Sequence, residues 1–198
     1  MAVEIIFETH SISTDNEAGI ATGWLPGRLS ARGRELARAL GERRRADRPD
    51  VVFVSDLARA VETAELAFAG SGIPIRQDPR LRECNYGELN GMPTARLAAE
   101  RRRRIDEPFP GGQSYREVVA AMRAFLRDLA AGWDGKRVVI ISHSANRWAL
   151  DCLLGGRTLE ELVDAPFAWQ EGWHYTLPTG WTGAPTSAPV AGPQSGAR

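Results

Sequence analysis

The sequence runs to 198 residues, 43% of them hydrophobic and 25% charged, proportions that suit a single globular domain with a sizeable core. Lys plus Arg and Asp plus Glu each number 25, so no net field directs the chain toward nucleic acid or a membrane surface. Cys84 and Cys152 have neither Cys-x-x-Cys nor zinc-ligand spacing, the N-terminus lacks a signal-peptide pattern, and no apolar run could span a membrane; a cytoplasmic protein is expected.

Residues 3–7 form a continuous apolar run, the pattern of a strand covered on both faces. Residues 8–29, with Gly19, Gly23, Pro26 and Gly27, read as a long functional loop. Ser30 then caps a helix to about Arg45, with Leu36 and Leu40 on one face and Arg43, Arg44 and Arg45 at a solvated end. A strand is predicted over 51–54. Ser55 and Asp56 are expected to cap a helix that ends near Phe68 before Gly70 and Gly72, and 73–75 returns as a short strand. Residues 78–90 have no clear period. A helix is predicted over 94–104, ending in a second arginine run, and a longer one from Ser114 to about Ala131, with Val118, Met122, Phe125 and Leu129 on one face. Residues 136–141 form another strand, followed by a helix through Leu154 and a short one over 159–163. Trp173, Tyr175 and Leu177 alternate with polar neighbours, as on a half-exposed edge strand. From Thr179 the composition shifts to Gly, Pro, Ser, Thr and Ala, the signature of a disordered tail, which leaves 1–178 as one domain.

Strands alternating with helices predict a three-layer α/β/α domain around a mostly parallel sheet. Two of the three histidines, His10 and His143, directly follow apolar strands. Ligands of open α/β sheets sit beyond the carboxyl ends of the strands, so both imidazoles and Arg59 can share one anion pocket. Neutral imidazole is a competent nucleophile toward phosphorus, an arginine stabilises the equatorial oxygens, and the leaving oxygen needs an acid such as Glu83. Taken singly, each residue has a plainer reading: a hydrogen-bonded strand-end histidine, a solvated arginine, a surface Arg82–Glu83 pair. No Gly-x-Ser-x-Gly elbow and no metal-ligand spacing is present.

The motifs taken together resemble the histidine phosphatase superfamily, the phosphoglycerate-mutase-like proteins. Thr9-His10-Ser11 stands where that family has Arg-His-Gly, with Ser13 and Asn16 at its following Thr and Asn. Leu29-Ser30-Ala31-Arg32-Gly33 resembles its helix entry, and the stretch from Ser55 through Arg59 to Ala64 its second arginine motif. Leu81-Arg82-Glu83 with Tyr86-Gly87 resembles its acid segment, Pro110-Gly111-Gly112-Gln113-Ser114 its glycine turn, and Ser142-His143-Ser144 its second histidine. The resemblance implies a phosphoglycerate-mutase-like fold and a phosphatase that needs no metal or organic cofactor. His10 would be the nucleophile and Glu83 the proton donor. Arg59 and His143 would hold the phosphoryl group, with Asn16, Ser13, Arg28 and Ser144 as further phosphate-binding candidates and a phosphorylated small molecule as substrate. Residue 9 departs from the pattern, and Glu8 and Ser11 flank the nucleophile; Arg28 or Arg147 is expected to replace the missing guanidinium. A catalytically weak phospho-ligand binder and a phosphoglycerate-mutase-type transferase are the alternatives. Trp24, Asn90 and Trp148 are candidate substrate neighbours, and Trp169 and Trp173 near an edge strand suit a homodimer contact as well as simple packing.

Overall fold

The protein is described by a computed structural model covering residues 1–186. In chain order, β1 (Val3–Thr9), α1 (Thr14–Glu17) and β2 (Ile20–Ala21) lead to α2 (Ala31–Ala46), β3 (Val51–Val54), α3 (Ala58–Phe68) and β4 (Ile75–Gln77). Next come β5 (Met92–Pro93), α4 (Thr94–Glu100), α5 (Tyr115–Gly132), β6 (Arg137–Ser142), α6 (Ser144–Leu154), α7 (Leu159–Leu162) and β7 (Trp173–Leu177). The main sheet has the order β4-β3-β6-β1-β7; its first four strands run parallel, and β7 pairs antiparallel with β1 at the edge.

Strand alternation builds the three layers. Ile6, Val139 and Ile141 face α2 and α3, packing with Leu40, Ala60, Ala64 and Phe68. Ile5, Phe7, Val138 and Ile140 face the other way, onto Met122, Phe125 and Leu129 of α5 and Leu150 and Leu153 of α6. Because both faces are covered, these strands read as unbroken apolar runs rather than as alternations. A third cluster, with Tyr86, Met92, Leu97, Phe109, Tyr115 and Trp148, supports the segment between β4 and α5 beside the carboxyl end of the sheet.

Several boundaries differ from the sequence expectation. The loop over 8–29 contains α1, held by a Ser13–Asn16 capping box, and β2, which pairs with β5 in a separate two-stranded sheet. Capping hydrogen bonds and a two-residue ladder leave no periodic signal to read. The helix expected over 94–104 ends at Glu100 and resumes as a 3-10 turn over Arg103–Ile105. The short strand is Ile75–Gln77, set by pairing with Val52–Val54. Leu57, not Ser55 or Asp56, occupies the N-cap of α3: Ser55 bonds His143 and Asp56 pairs with Arg82. The stretch 179–186 is folded rather than disordered. Trp181 joins the main core, its Nε1 donates to the Ala184 carbonyl at 2.7 Å, and Thr186 N–H donates to the Leu153 carbonyl at 3.0 Å. One large apolar residue in polar surroundings was enough to anchor it. The remainder of the expected tail, 187–198, lies outside the described residues. No helix among the described residues is long and apolar enough to cross a membrane.

Candidate active site

β1 and β6 pair in register, Thr9 opposite Ser142, so the residues that follow them emerge side by side. His10 N–H continues the ladder to the Ser142 carbonyl at 2.8 Å, and the two imidazole centroids lie 5.0 Å apart. β3 ends on the same line, with Val54 opposite Ile141, and α3 begins almost at once, delivering Arg59 between the two rings.

The hydrogen bonds define the tautomers. His10 Nδ1–H donates to the Ser11 carbonyl at 2.7 Å, leaving Nε2 with its lone pair, to which Arg59 Nε–H donates at 3.2 Å. Arg59 Nη2 donates to the Gly23 carbonyl at 2.9 Å and to His143 Nδ1 at 3.3 Å, and His143 Nε2–H donates to Ser55 Oγ at 2.9 Å. Arg59 Nη1 is buried without a protein partner. Burial, reinforced by the Arg59 charge, pushes His10 down to about 3, and burial with Arg59 and His10 holds His143 well below its ordinary value. Both rings are therefore neutral at physiological pH.

Glu83 lines the same cavity. Burial raises its pKa, against the pull of the Cys84 N–H at 2.8 Å and the Arg59 charge. The surface Arg82–Glu83 pair of the sequence reading does not form. Arg82 is bidentate to Asp56 and stacks over Trp24, whose Nε1 donates to the Glu83 carbonyl at 2.6 Å; both contacts position the acid segment.

The backbone around His10 is fixed by close approach. A Cβ on Gly33 would sit 1.8 Å from the Ile12 carbonyl oxygen, and Ser11 Oγ donates to the Gly33 carbonyl at 2.6 Å. Ser11 thus uses its hydroxyl to tie the loop after His10 to α2. At Gly23, φ is +56° and a Cβ would meet Asn90 Oδ1 at 1.9 Å, so only glycine presents its carbonyl to Arg59 here.

The cavity of about 600 Å³ brings together His10, Arg59, Glu83 and His143 with Thr9, Asn16, Tyr86, Ser144 and Trp148. Ser13 is turned away: fully buried, it donates to Asn16 Oδ1 at 2.9 Å and so orients the Asn16 amide. Arg28 is exposed and outside the cavity, and Arg147 is occupied by Asp151 and stacked on Trp173. Neither takes the place of an arginine at residue 9. Trp24 and Asn90 also lie outside it; Asn90 Oδ1 instead accepts from the backbone of Trp24 and Tyr86. Glu8 forms a buried ion pair with Arg44 at 2.6 Å, and Arg44 also donates to the Glu171 carbonyl. Trp173 is buried against Phe7, whereas Trp169 is 60% exposed at the cavity rim.

Sequence reasoning passed over Arg43 on α2 and Arg101 at the end of α4, both of which line the cavity. Each belongs to an arginine run that resembles a solvated helix end, so only the tertiary fold separates the inward member. Among the described residues no group of three or more His, Cys, Asp or Glu side chains could hold a metal.

The model of the histidine phosphatase superfamily, branch 1, matches residues 5–170. Among curated proteins, the 2,3-bisphosphoglycerate-dependent phosphoglycerate mutase of Methylobacterium sp. (strain 4-46) is 33% identical over 80% of this chain and 83% of its own. Phosphoserine phosphatase 1 of Hydrogenobacter thermophilus is 28% identical over 80% of this chain and 79% of its own. A solved mycobacterial glucosyl-3-phosphoglycerate phosphatase in complex with VO3 superposes with a TM-score of 0.71 at 27% identity, covering 86% of this chain and 88% of that one. The similar proteins thus include both phosphatases and mutases. With paired strand-end histidines around one arginine and a family match over most of its length, the chain belongs to the histidine phosphatase superfamily, branch 1.

Proposed function

We propose that this protein is a phosphoric monoester hydrolase working through a phosphohistidine on His10. The lone pair of His10 Nε2 attacks phosphorus, the bond to the ester oxygen breaks, and Glu83 gives that oxygen its proton. Water then loses a proton to Glu83 and attacks phosphorus, and the P–N electron pair returns to Nε2 as inorganic phosphate leaves. Arg59 holds the phosphoryl oxygens, His143 assists after its hydrogen bonds rearrange, and Asn16 and Ser144 offer further donors from the cavity wall. The substrate is a phosphorylated small molecule that fits the cavity.

The observation that carries this reading is Arg59, whose Nε and Nη2 face the two neutral imidazoles and whose buried Nη1 is a charged donor without a protein partner. A phosphoryl oxygen supplies the missing acceptor, and it also draws Arg59 Nε–H off the unprotonated His10 Nε2, which is then free to attack. Retention of His10, Arg59, Glu83 and His143 in one cavity supports turnover over passive ligand binding. Exposure to a labelled phosphoryl donor is expected to leave an acid-labile, base-stable label on the wild type and none on His10→Ala. An unlabelled, folded wild type that hydrolyses no ester across a broad panel would sink the proposal.

The mutase-named relative at 33% identity supports a second reading, phosphoryl transfer within a sugar acid. Following the label separates the two. Hydrolysis ends with label in inorganic phosphate, whereas transfer ends with label in a second ester.

A further inference from the structure

A transferred phosphoryl group brings on the order of 1.5 to 2 negative charges into the site. Among the described residues, Arg59 is the one cation hydrogen-bonded to the two imidazoles, which are themselves neutral. Residue 9, immediately before the nucleophile, is threonine and adds no charge. The remaining arginines of the region differ sharply in what already occupies them. Arg147 is paired with Asp151, and Arg43 faces the Glu171 carboxylate at 3.9 Å.

Arg101 stands apart. In the run 101–104, Arg102 pairs with Asp164, Arg103 with Glu107, and Arg104 with Glu100. Arg101 has no such carboxylate among the described residues. It lies over the Trp148 ring at 5.4 Å and lines the cavity with His10 and Glu83. Its Nε is buried without a hydrogen-bond partner, as are those of Arg43 and Arg147, but Arg101 alone of the three has no carboxylate within ion-pair distance among the described residues. Stacking on an indole supports a guanidinium through its face and keeps its in-plane N–H donors clear of the ring; among the described residues the Tyr115 hydroxyl is the one neutral side-chain group that acts on Arg101 from its edge. Its charge already acts on Glu83.

We infer that Arg101 supplies the second guanidinium to the transferred phosphoryl group, serving in place of an arginine at residue 9. The inference rests on the hydrolase reading for its chemistry. Its test uses binding of inorganic phosphate, which needs no turnover.

Phosphate affinity is measured by calorimetry for the wild type, Arg101→Ala, Arg101→Lys, Arg101→Gln, Thr9→Arg and the Thr9→Arg/Arg101→Ala double variant. Loss of one charge-assisted donor set predicts weakening by about ten- to hundred-fold in Arg101→Ala, with Arg101→Lys recovering part of it and Arg101→Gln little. Thr9→Arg is expected to bind phosphate more tightly, and in its background Arg101→Ala should cost several-fold less, because the two guanidinia serve the same oxygens. Equal losses in both backgrounds would overturn the inference. So would unchanged phosphate binding in Arg101→Ala with only the KM for larger esters raised, which would place Arg101 on the leaving group. Should Thr9→Arg not fold, equal phosphate affinity of the Lys and Gln variants at residue 101 would overturn it as well. A protein that binds phosphate in this pattern yet hydrolyses no ester would refute the hydrolase reading and leave the role of Arg101 standing.

Discussion

At the scale of single residues, the proposed chemistry depends on two opposed pKa shifts caused by burial. His10 is pushed down to about 3 by burial and by Arg59, so its Nε2 stays unprotonated across the physiological range. Glu83 is raised by burial, the direction a proton donor needs. Turnover should therefore fall as pH rises through the Glu83 pKa. Glu83→Gln should abolish that limb and lower kcat on alkyl phosphates by about 10²- to 10⁴-fold, with a smaller loss for an activated leaving group such as p-nitrophenolate. A pH–rate profile of the two proteins checks both points. The same burial has a cost in stability. The folded pKa of His10 lies below the ordinary 6.5, so the unfolded chain binds more protons there. Stability from this group is full above about pH 6.5 and is lost as pH falls toward 3. His10→Gln should flatten the dependence of Tm on pH in that window.

At the scale of elements, the site depends on contacts that hold loops against helices. The Glu8–Arg44 pair ties the end of β1 to α2, and Arg44 reaches the Glu171 carbonyl in the segment before β7. Arg44→Met leaves Glu8 buried without its partner and should destabilise by about 3–5 kcal/mol in chemical denaturation. The double change with Glu8→Gln should cost less, because no unpaired charge remains. Gly33→Ala drives a methyl into the Ile12 carbonyl and should lower both Tm and kcat, since the residue that moves lies two positions from His10, the proposed nucleophile. Much of this scale was legible in sequence. Ser30 and Ser114 cap α2 and α5 as their positions suggest, and the apolar runs before both histidines are strands. Ser55 and Asp56 looked equally like caps, yet their side chains hold His143 and Arg82. A short polar residue at a strand end serves a helix or a neighbour with equal ease, and local sequence does not say which.

At the scale of the molecule, the sheet order brings the chemistry together. β6 lies between β3 and β1, so groups from residues 10, 55, 59 and 143 meet at one edge. The segment after β7 also belongs to this body. Trp181 packs into the main core, and Trp181→Ala should cost about 3–5 kcal/mol in a denaturant titration while leaving KM unchanged, as it stands outside the cavity.

By itself the sequence determined the alternation of strand and helix and the family, and it singled out His10, Arg59, Glu83 and His143, which the fold brings into one cavity, because periodicity, caps and motif spacing are local properties. Only the tertiary structure decided which arginines turn inward. Arg44 and Arg104 are buried in ion pairs, Arg43 and Arg101 line the cavity, and Arg28 is exposed, although the composition around the members of each run hardly differs. A guanidinium on a long stem takes its role from whichever carboxylate, ring or cavity lies within reach, and that is fixed by elements far away in sequence.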